Sequence, residues 1–263
     1  MSEPPDVLIQ HARYALEALG HSSVCGTKGD NSLLWSTRTL GTTSMFSGIC
    51  CAERALESIN AARKTFGADI GDLTEPLWTV ECDAKARAAQ VEMLPDTACK
   101  FLDVRDFIDA HTLAEMNKVT ASGSGKKWKK WLTLVKAGKI PEEAFCSTHL
   151  KKCQIRSSFL DFTGSMCTSW STLGAQEKEE STNSILLLIW MNYHCRKGTP
   201  LVGHENVDTF QSGMIVDEMF KAGYRHILVK VKPLDVGIPI GRPRRLLGNI
   251  SILYTYIWIY IYM

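Results

Sequence analysis

Residues 42–66, TTSMFSGICCAERALESINAARKTF, carry the pattern that decides the fold. Residues 42–48 predict a strand, and residues 52–66 predict a helix, because Leu56 and Ile59 fall on one face and Gly67 ends the pattern. Gly48 stands at the turn between them, where a residue without a Cβ lets the backbone approach a ligand and the next helix offers free N–H groups. The stretch is therefore a strand–turn–helix unit, the building block of an α/β fold.

The same alternation continues along the chain. Further strands are predicted at residues 78–82, 99–104, 158–163, 201–205 and 226–231, and further helices at residues 84–93, 183–193 and 210–222. Strands that alternate with long helices predict an α/β fold with a mostly parallel sheet and helices on both faces. Ligands of such Rossmann-like sheets bind at the carboxyl ends of the strands, so functional residues are expected just after each strand.

Three segments fall outside this alternation. Residues 1–41 predict an N-terminal helix and a loop rich in serine, glycine and threonine. Residues 121–156 predict a basic insertion, in which KKWKKW at 126–131 is either a nucleic-acid contact or, by a plainer interpretation, an exposed basic loop with one tryptophan beneath it. Residues 248–263, GNISILYTYIWIYIYM, form a low-complexity tail that is interpreted as a gene-model artefact or, alternatively, an edge strand.

Composition excludes several classes of protein. The chain has 263 residues, of which 45% are hydrophobic and 22% charged, and its net charge is +2. These values exclude collagen-like, disordered and disulfide-miniprotein classes. Positive charge is concentrated at residues 126–156 and 221–245, where it would attract a polyanion.

The nine cysteines and the apolar runs indicate the cellular environment. An odd cysteine count and an N-terminus without an apolar core predict reduced thiols in the cytosol or nucleus. No CxxC pair or finger-like Cys/His spacing stands out, so no metal site is predicted. No apolar run reaches the roughly 20 residues of a membrane span, so no membrane partner is predicted.

Reactive or polar residues follow the predicted strands in turn. Glu81 and Asp103 end the second and third strands, where dinucleotide-binding folds hold ribose hydroxyls. Cys167 lies in a Gly/Ser-rich turn after the fourth strand, where free N–H groups would favour the thiolate. Glu205 ends the fifth strand, and arginines at 242–245 follow the sixth. Taken singly, each has a plainer alternative: a solvated acid, a buried cysteine or a basic turn.

Taken in order, these motifs resemble the DNA cytosine-5 methyltransferase family over residues 42–247. Residues 46–51 are similar to the family's Phe-x-Gly-x-Gly-Gly loop, and residues 164–171 to its Gly-Pro-Pro-Cys-Gln-Pro-Phe-Ser motif. Residues 205–207 are identical to its Glu-Asn-Val, and Arg242 and Arg244 match the arginines of its Gln-x-Arg-x-Arg. The resemblance implies a methyltransferase catalytic domain at residues 42–247 with the Rossmann-like fold of S-adenosylmethionine-dependent enzymes.

The resemblance also implies a role for each matching position. The catalytic residues would be Cys167, Glu205, Arg242 and Arg244. The implied cofactor, S-adenosylmethionine, would be held by Phe46, Ser47, Gly48, Ile49, Glu81, Cys82, Asp103 and Val104. The nucleic-acid substrate would be bound by Ser165, Thr168, Ser171 and Asn206. No metal takes part in this chemistry.

The sequence departs from the family at several positions. Cys50 and Cys51 replace two glycines of the cofactor loop, and Ser165 and Met166 replace the prolines before the nucleophile. The family continues past its arginines with a target-recognition domain, whereas the match here ends near Leu247, so a truncated domain is expected. The expected substrate is DNA in the nucleus. The alternatives are tRNA, with a cytoplasmic location open, and an inactive methyltransferase fold that binds nucleic acid or protein.

Overall fold

A computed structural model describes residues 39–65, 72–122, 126–169, 177–231 and 244–251. In these ranges nine strands form one sheet in the order β5-β4-β3-β2-β1-β6-β7-β9-β8. The strands are β1 (Leu40–Met45), β2 (Thr74–Val80), β3 (Cys99–Phe101), β4 (Glu143–Cys146), β5 (Lys151–Gln154), β6 (Leu160–Gly164), β7 (Leu201–Val207), β8 (Tyr224–Val231) and β9 (Arg244–Ser251). The helices are α1 (Cys51–Thr65), α2 (Ala84–Met93), α3 (Ala110–Ala121), α4 (Lys127–Ala137), α5 (Asn183–Lys197) and α6 (Gly213–Lys221).

The middle of the sheet is parallel. Strands β3, β2, β1, β6 and β7 pair in parallel, whereas β4 and β5 extend one side as antiparallel strands and β9 runs antiparallel between β7 and β8. The chain moves outward from β1 to β3 and then returns to β6 on the other side of β1. Because such crossovers are right-handed, this reversal puts α1 and α2 on one face and α5 and α6 on the other. The predicted Rossmann-like α/β fold is confirmed.

The core lies under the face that α5 covers. Helix α5 is apolar on nearly all sides, and its residues from Leu187 to His194 are all buried, as expected of a helix that is enclosed by other elements. It packs against α4 and against the 3-10 turn Val104–Phe107. Trp78, Phe107 and Tyr193 meet there with ring centroids 5.2–5.7 Å apart. This aromatic cluster fixes the sheet against the helix.

Residues 127–131 of the basic segment lie in helix α4 and not in the predicted loop, although one tryptophan does lie beneath the exposed lysines as expected. Trp131 and Val135 on α4 are fully buried, and the indole N–H of Trp131 donates to the carbonyl of Met116 at 3.0 Å. Trp128 packs partly against the same core, while Lys129 stays exposed. Spacings of three, four and seven residues between the apolar side chains define one helical face.

Strand β9 crosses the predicted boundary at residue 247. Gly203 of β7 pairs with Gly248, and Val202 pairs with Asn249, whose side chain is 1% exposed. Residues 248–251 are therefore interior to the sheet and not an edge strand. Residues 1–38 and 252–263 lie outside the described residues, so the expected N-terminal helix and the rest of the tail are not part of this description. Among the helices that are described, none has the length and apolarity needed to cross a bilayer.

Four potential metal ligands lie together, although the sequence predicts no metal site. Cys99, Cys146, His149 and Cys153 place their ligand atoms within 4.8 Å of one another. The sequence conceals this cluster because Cys99 lies on β3, far along the chain from the β4–β5 hairpin that carries the other three. Pairing of β3 with β4 brings the four together.

Candidate active site

Two loops meet at the point where the chain reverses direction across the sheet. One follows β1 and contains residues 46–50, and the other follows β6 and contains residues 165–169. Phe46 of the first loop and Ser165 and Met166 of the second line one small pocket together with the first residues of α5. Open α/β sheets bind ligands in the crevice at such a switch point. The sequence-predicted cofactor loop and nucleophile loop are therefore neighbours.

Gln90, which the sequence reasoning missed, holds the loop after β1. Its fully buried amide donates to Ser47 Oγ at 2.9 Å and to the Gly48 carbonyl at 2.7 Å. Its own carbonyl accepts from the hydroxyl of Thr79 at 3.1 Å. Ser47 also bonds to the carbonyl of Val80 through both its backbone N–H and its hydroxyl. A glutamine on the inward face of α2 is the one signal that could have revealed this role.

Glu81 lies directly beside this loop. Its carboxylate accepts from the backbone N–H of Gly48 at 2.8 Å and from that of Asp83 at 2.8 Å. A carboxylate has about four lone-pair sites, so both oxygens keep capacity for another donor. A Cβ added to Gly48 would meet no atom within 4 Å. Open space in front of Gly48 and an anchored acid beside it form a cradle that a ribose could enter.

The remaining cofactor candidates lie near the same edge in different environments. Ile49 is 52% exposed and Cys82 is exposed, whereas the side chain of Val104 is buried in the core. Asp103 accepts from the backbone N–H of Arg105 at 2.8 Å and forms an ion pair with its guanidinium at 2.5 Å. This ion pair occupies the Asp103 carboxylate with a partner inside the chain.

The loop after β6 is held by two side chains of β7. The hydroxyl of Ser165 lies 2.8 Å from Nε2 of His204 and accepts from Nδ2 of Asn206 at 2.9 Å. Nδ2 of Asn206 also donates to the Ser165 carbonyl at 3.2 Å. Ser165 and Asn206, expected to contact substrate, bond to each other, and Asn206 is 1% exposed. His204, which the sequence reasoning missed, is buried, and this burial lowers its pKa to about 4.

Glu205 lies against the start of the loop that carries Cys167. Gly164 of β6 pairs with Glu205 of β7, and a Cβ at Gly164 would come within 3.3 Å of Glu205 Oε2. Cys167 is half-buried three residues later, and Thr168 is exposed with its hydroxyl accepting from Asn183 at 3.2 Å. The structure thus brings the predicted acid to the base of the predicted nucleophile loop.

The other predicted residues are placed only in part. Ser171 and Arg242 lie outside the described residues. Arg244 begins β9, where its backbone pairs with Val207 and Val231. Because β9 is antiparallel to both neighbours, its first residue lies at the carboxyl ends of β7 and β8. The arginine motif therefore enters the sheet at the edge that carries Glu205.

A buried carboxylate joins the two strands from which the loops begin. Asp161 of β6 accepts from Thr43 at 2.9 Å, from Thr163 at 2.7 Å and from the indole of Trp190 at 3.0 Å. Burial alone would raise its pKa, but His194, 3.4 Å away, and these hydrogen bonds hold the pKa below its ordinary value. The ionised side chain ties β1 to β6 at the switch point.

The fold and this edge define a doubly wound α/β protein whose reactive residues converge at the carboxyl ends of its parallel strands.

No protein-family model and no curated protein matches the chain. Solved structures similar to it include the S. pombe Dnmt2 methyltransferase, at 12% identity and a TM-score of 0.44 over 82% of this chain and 50% of that one. Another is a putative DNA modification methyltransferase of an E. coli prophage, at 15% identity and a TM-score of 0.45 over 81% of this chain and 47% of that one. A third is the Entamoeba histolytica methyltransferase EhMeth, at 13% identity and a TM-score of 0.43 over 81% of this chain and 53% of that one. The chain spans about half the length of each.

Proposed function

We propose that this chain is the catalytic domain of an S-adenosylmethionine-dependent methyltransferase that acts on C5 of cytosine in nucleic acid. The observation that carries the proposal is the position of the Glu205 carboxylate, which lies against Gly164 at the base of the Cys167 loop. A nucleophile and an acid at one sheet edge are the two groups that this chemistry requires. The motif order Gly turn, Glu81, Asp103, Cys167, Glu205 supports the same assignment.

The chemistry explains why these residue types are needed. Cytosine C5 is a poor nucleophile until a group adds at C6, so the Cys167 thiolate would form an S–C6 bond first. The carboxyl group of Glu205, in its protonated form, would donate to N3 and accept from the exocyclic amine, and so offset the negative charge that develops in the ring. C5 would then take the methyl group, and loss of the C5 proton with cleavage of the S–C6 bond would restore the thiolate. Arg242 and Arg244 would help to hold the base and the thiolate.

S-adenosylmethionine fits the residues beside the first loop. When bound, it supplies an electrophilic methyl group on a sulfonium. Gly48 leaves the loop backbone open, and Glu81 would accept hydroxyl groups of the ribose with the capacity that its two backbone bonds leave. Ser47, Phe46 and Ile49 would complete this side, with Cys82, Asp103 and Val104 around the adenine.

DNA is the substrate we propose first, with Ser165, Thr168, Ser171 and Asn206 around the target base. A base inside a duplex must be flipped out to reach the Cys167 loop. The exposed lysines on α4 would attract the phosphate backbone. A DNA substrate implies a nuclear location, and a tRNA substrate would also allow a cytoplasmic one.

A second candidate function is a methyltransferase fold that binds nucleic acid or protein without transferring a methyl group. Two observations favour it. Cys50 replaces a loop glycine and is fully buried at a φ of 63°, in the left-handed region that favours glycine. Asp103, expected at the adenine, is paired with Arg105. Both features reduce what the candidate site offers to a cofactor.

Transfer of a radiolabelled methyl group from S-adenosylmethionine to duplex DNA or to tRNA tests the proposal. We expect label on one of the two substrates. Glu205→Gln should lower the rate by about 10²–10³-fold, as loss of a group that stabilises transition-state charge does. Glu92→Gln, on the exposed face of α2, is the matched control and should leave the rate unchanged. Cofactor binding without transfer to either substrate would favour the second candidate, and no cofactor binding would contradict the proposal.

A further inference from the structure

Four potential metal ligands converge on the side of the sheet formed by β3, β4 and β5. Cys99 begins β3, Cys146 ends β4, His149 lies in the hairpin loop and Cys153 lies on β5. Their ligand atoms all lie within 4.8 Å of one another. Along the hairpin the ligands follow the spacing Cys-x2-His-x3-Cys, and β3 supplies the fourth.

The distances match a tetrahedral zinc site. Nδ1 of His149 lies 3.6 Å from Sγ of Cys99, 3.4 Å from Sγ of Cys146 and 3.4 Å from Sγ of Cys153. With Zn–S bonds of about 2.3 Å and a Zn–N bond of about 2.0–2.1 Å, a regular tetrahedron has S···N edges of about 3.5 Å. One imidazole nitrogen therefore faces three sulfurs at the separation that a shared zinc ion would impose.

The surroundings of one sulfur suit a metal ligand. The backbone N–H groups of His149, Lys100 and Thr148 donate hydrogen bonds to Cys146 Sγ. Outer hydrogen bonds of this kind orient and stabilise metal ligands. A divalent cation would bind all four groups.

We propose that Cys99, Cys146, His149 and Cys153 bind one Zn²⁺ in a closed Cys₃His site with a structural role. Four protein ligands leave no open coordination position, which is the arrangement of structural rather than catalytic zinc. Within β3 the ligand is Cys99, the first residue, whereas Asp103 and the candidate active site follow the last residue, Phe101.

The site would fasten the β4–β5 hairpin to the rest of the sheet. Strand β4 pairs with β3 through Phe101 and Cys146, and each strand of the hairpin has four residues. So short a hairpin has few backbone hydrogen bonds to hold it. Zinc would link it to β3 through Cys99, much as a structural metal replaces a large core in small domains.

Metal analysis of the full chain tests this proposal independently of any methyltransferase activity. The protein would be expressed with zinc in the medium, purified under reducing conditions without chelator and measured by mass spectrometry of the metal. We expect about one zinc ion per chain in the wild type and less than about 0.2 in Cys153→Ser and in His149→Ala. The matched controls Cys51→Ser and His111→Ala, at exposed positions outside the cluster, should keep the wild-type content.

Cobalt substitution of the wild type covers the case in which the ligand variants do not fold. Co²⁺ in the site should give the strong visible bands of tetrahedral coordination and a sulfur-to-metal charge-transfer band. Folded wild-type protein with less than about 0.1 zinc per chain and no such bands would overturn the proposal. Unchanged zinc in both ligand variants, or a disulfide within the cluster of the purified wild type, would overturn it as well.

Discussion

At the scale of single residues, buried polar side chains position the two candidate loops. Gln90 ties α2 to the loop after β1 and to β2 through three hydrogen bonds. Asn206 and His204 do the same for the loop after β6. A buried polar group that loses its hydrogen-bond partner lowers the free energy of unfolding. Substitution of these residues should therefore change stability or binding.

Gln90→Met should destabilise the fold and loosen the cofactor loop. Methionine has a similar volume, but it leaves the Gly48 carbonyl and the Thr79 hydroxyl without their partner, at a cost of roughly 1–3 kcal/mol. Urea unfolding should show a lower midpoint, and calorimetry should show weaker S-adenosylmethionine binding. Glu92→Met, exposed on the same helix, is the control. An unchanged midpoint in Gln90→Met would contradict the role given to Gln90.

Glu81→Ala should weaken S-adenosylmethionine binding. The variant loses the charged hydrogen bonds that we propose to the ribose and also the anchor of the Gly48 backbone. Loss of such bonds costs roughly 1.5–3 kcal/mol, or about 10–150-fold in the dissociation constant. Calorimetric titration measures it directly, with Glu92→Ala as the control. A dissociation constant equal to that of the wild type would remove Glu81 from the site.

His204 should make the fold less stable in acid. Its folded-state pKa of about 4 lies below the ordinary value of 6.5 because the imidazole is buried. Between these values the unfolded chain binds a proton that the native chain does not, so this contribution is full above pH 6.5 and is lost as the pH falls towards 4. The loss reaches roughly 3 kcal/mol.

The pH dependence of unfolding in a matched pair of variants isolates this effect. His204→Gln removes the titrating group, so the free energy of unfolding should fall less steeply between about pH 6.5 and 4 than in the wild type. His111→Gln, exposed on α3, should keep the wild-type slope. Equal slopes in the wild type and His204→Gln would contradict the account of His204.

At the scale of elements, β9 makes the sheet continuous across the predicted tail boundary. Its eight residues pair with β8, and all of them except Ser251 also pair with β7. The amide of Asn249 reaches the carbonyl of Val202 at 3.4 Å. A chain that ends at residue 247 would lose half of β9 and leave backbone groups of β7 and β8 without partners. A chain that ends at residue 251 would keep all of these pairs.

Truncation at these two positions should therefore have different effects. The chain of residues 1–251 keeps every described pair of β9 and is the reference. The chain of residues 1–247 should unfold at a lower temperature or aggregate, because each lost hydrogen bond costs roughly 0.5–1.5 kcal/mol and an open sheet edge is exposed. Differential scanning calorimetry distinguishes them. Equal unfolding temperatures for both truncations would contradict the interior position of residues 248–251.

The sequence predicted most elements of the parallel part of the sheet, but it missed α3, α4, β4, β5 and β9. Helix α2 was predicted with its observed bounds, and α1, β6 and β7 to within a few residues, because each has a clear period and a turn residue at its end. Strands β4 and β5 have four residues each, too few to display an alternation. Helix α4 was missed because its many lysines conceal an apolar face that Trp128, Trp131 and Val135 mark.

At the scale of the whole molecule, topology explains why the site residues could be predicted without their contacts. Parallel strands carry their carboxyl ends to one edge, so the residues after β1, β2, β3, β6 and β7 had to share that edge. The sequence could not reveal contacts between residues that are far apart in the chain and meet only when it folds. Such contacts are made by Gln90 with the first loop, by His204 with the second loop and by Cys99 with the hairpin.

Mechanism-based trapping tests the central claim, that Cys167 adds covalently to cytosine, most directly. The protein would be incubated with S-adenosylmethionine and 5-fluorocytosine-containing duplex DNA or tRNA, because fluorine at C5 prevents the proton loss that releases the cysteine. We expect a denaturant-resistant protein–nucleic-acid band with one of the two substrates and no such band with Cys167→Ser, which should still bind the cofactor. A band that persists in Cys167→Ser, or no band with either substrate while the cofactor binds, would contradict the claim.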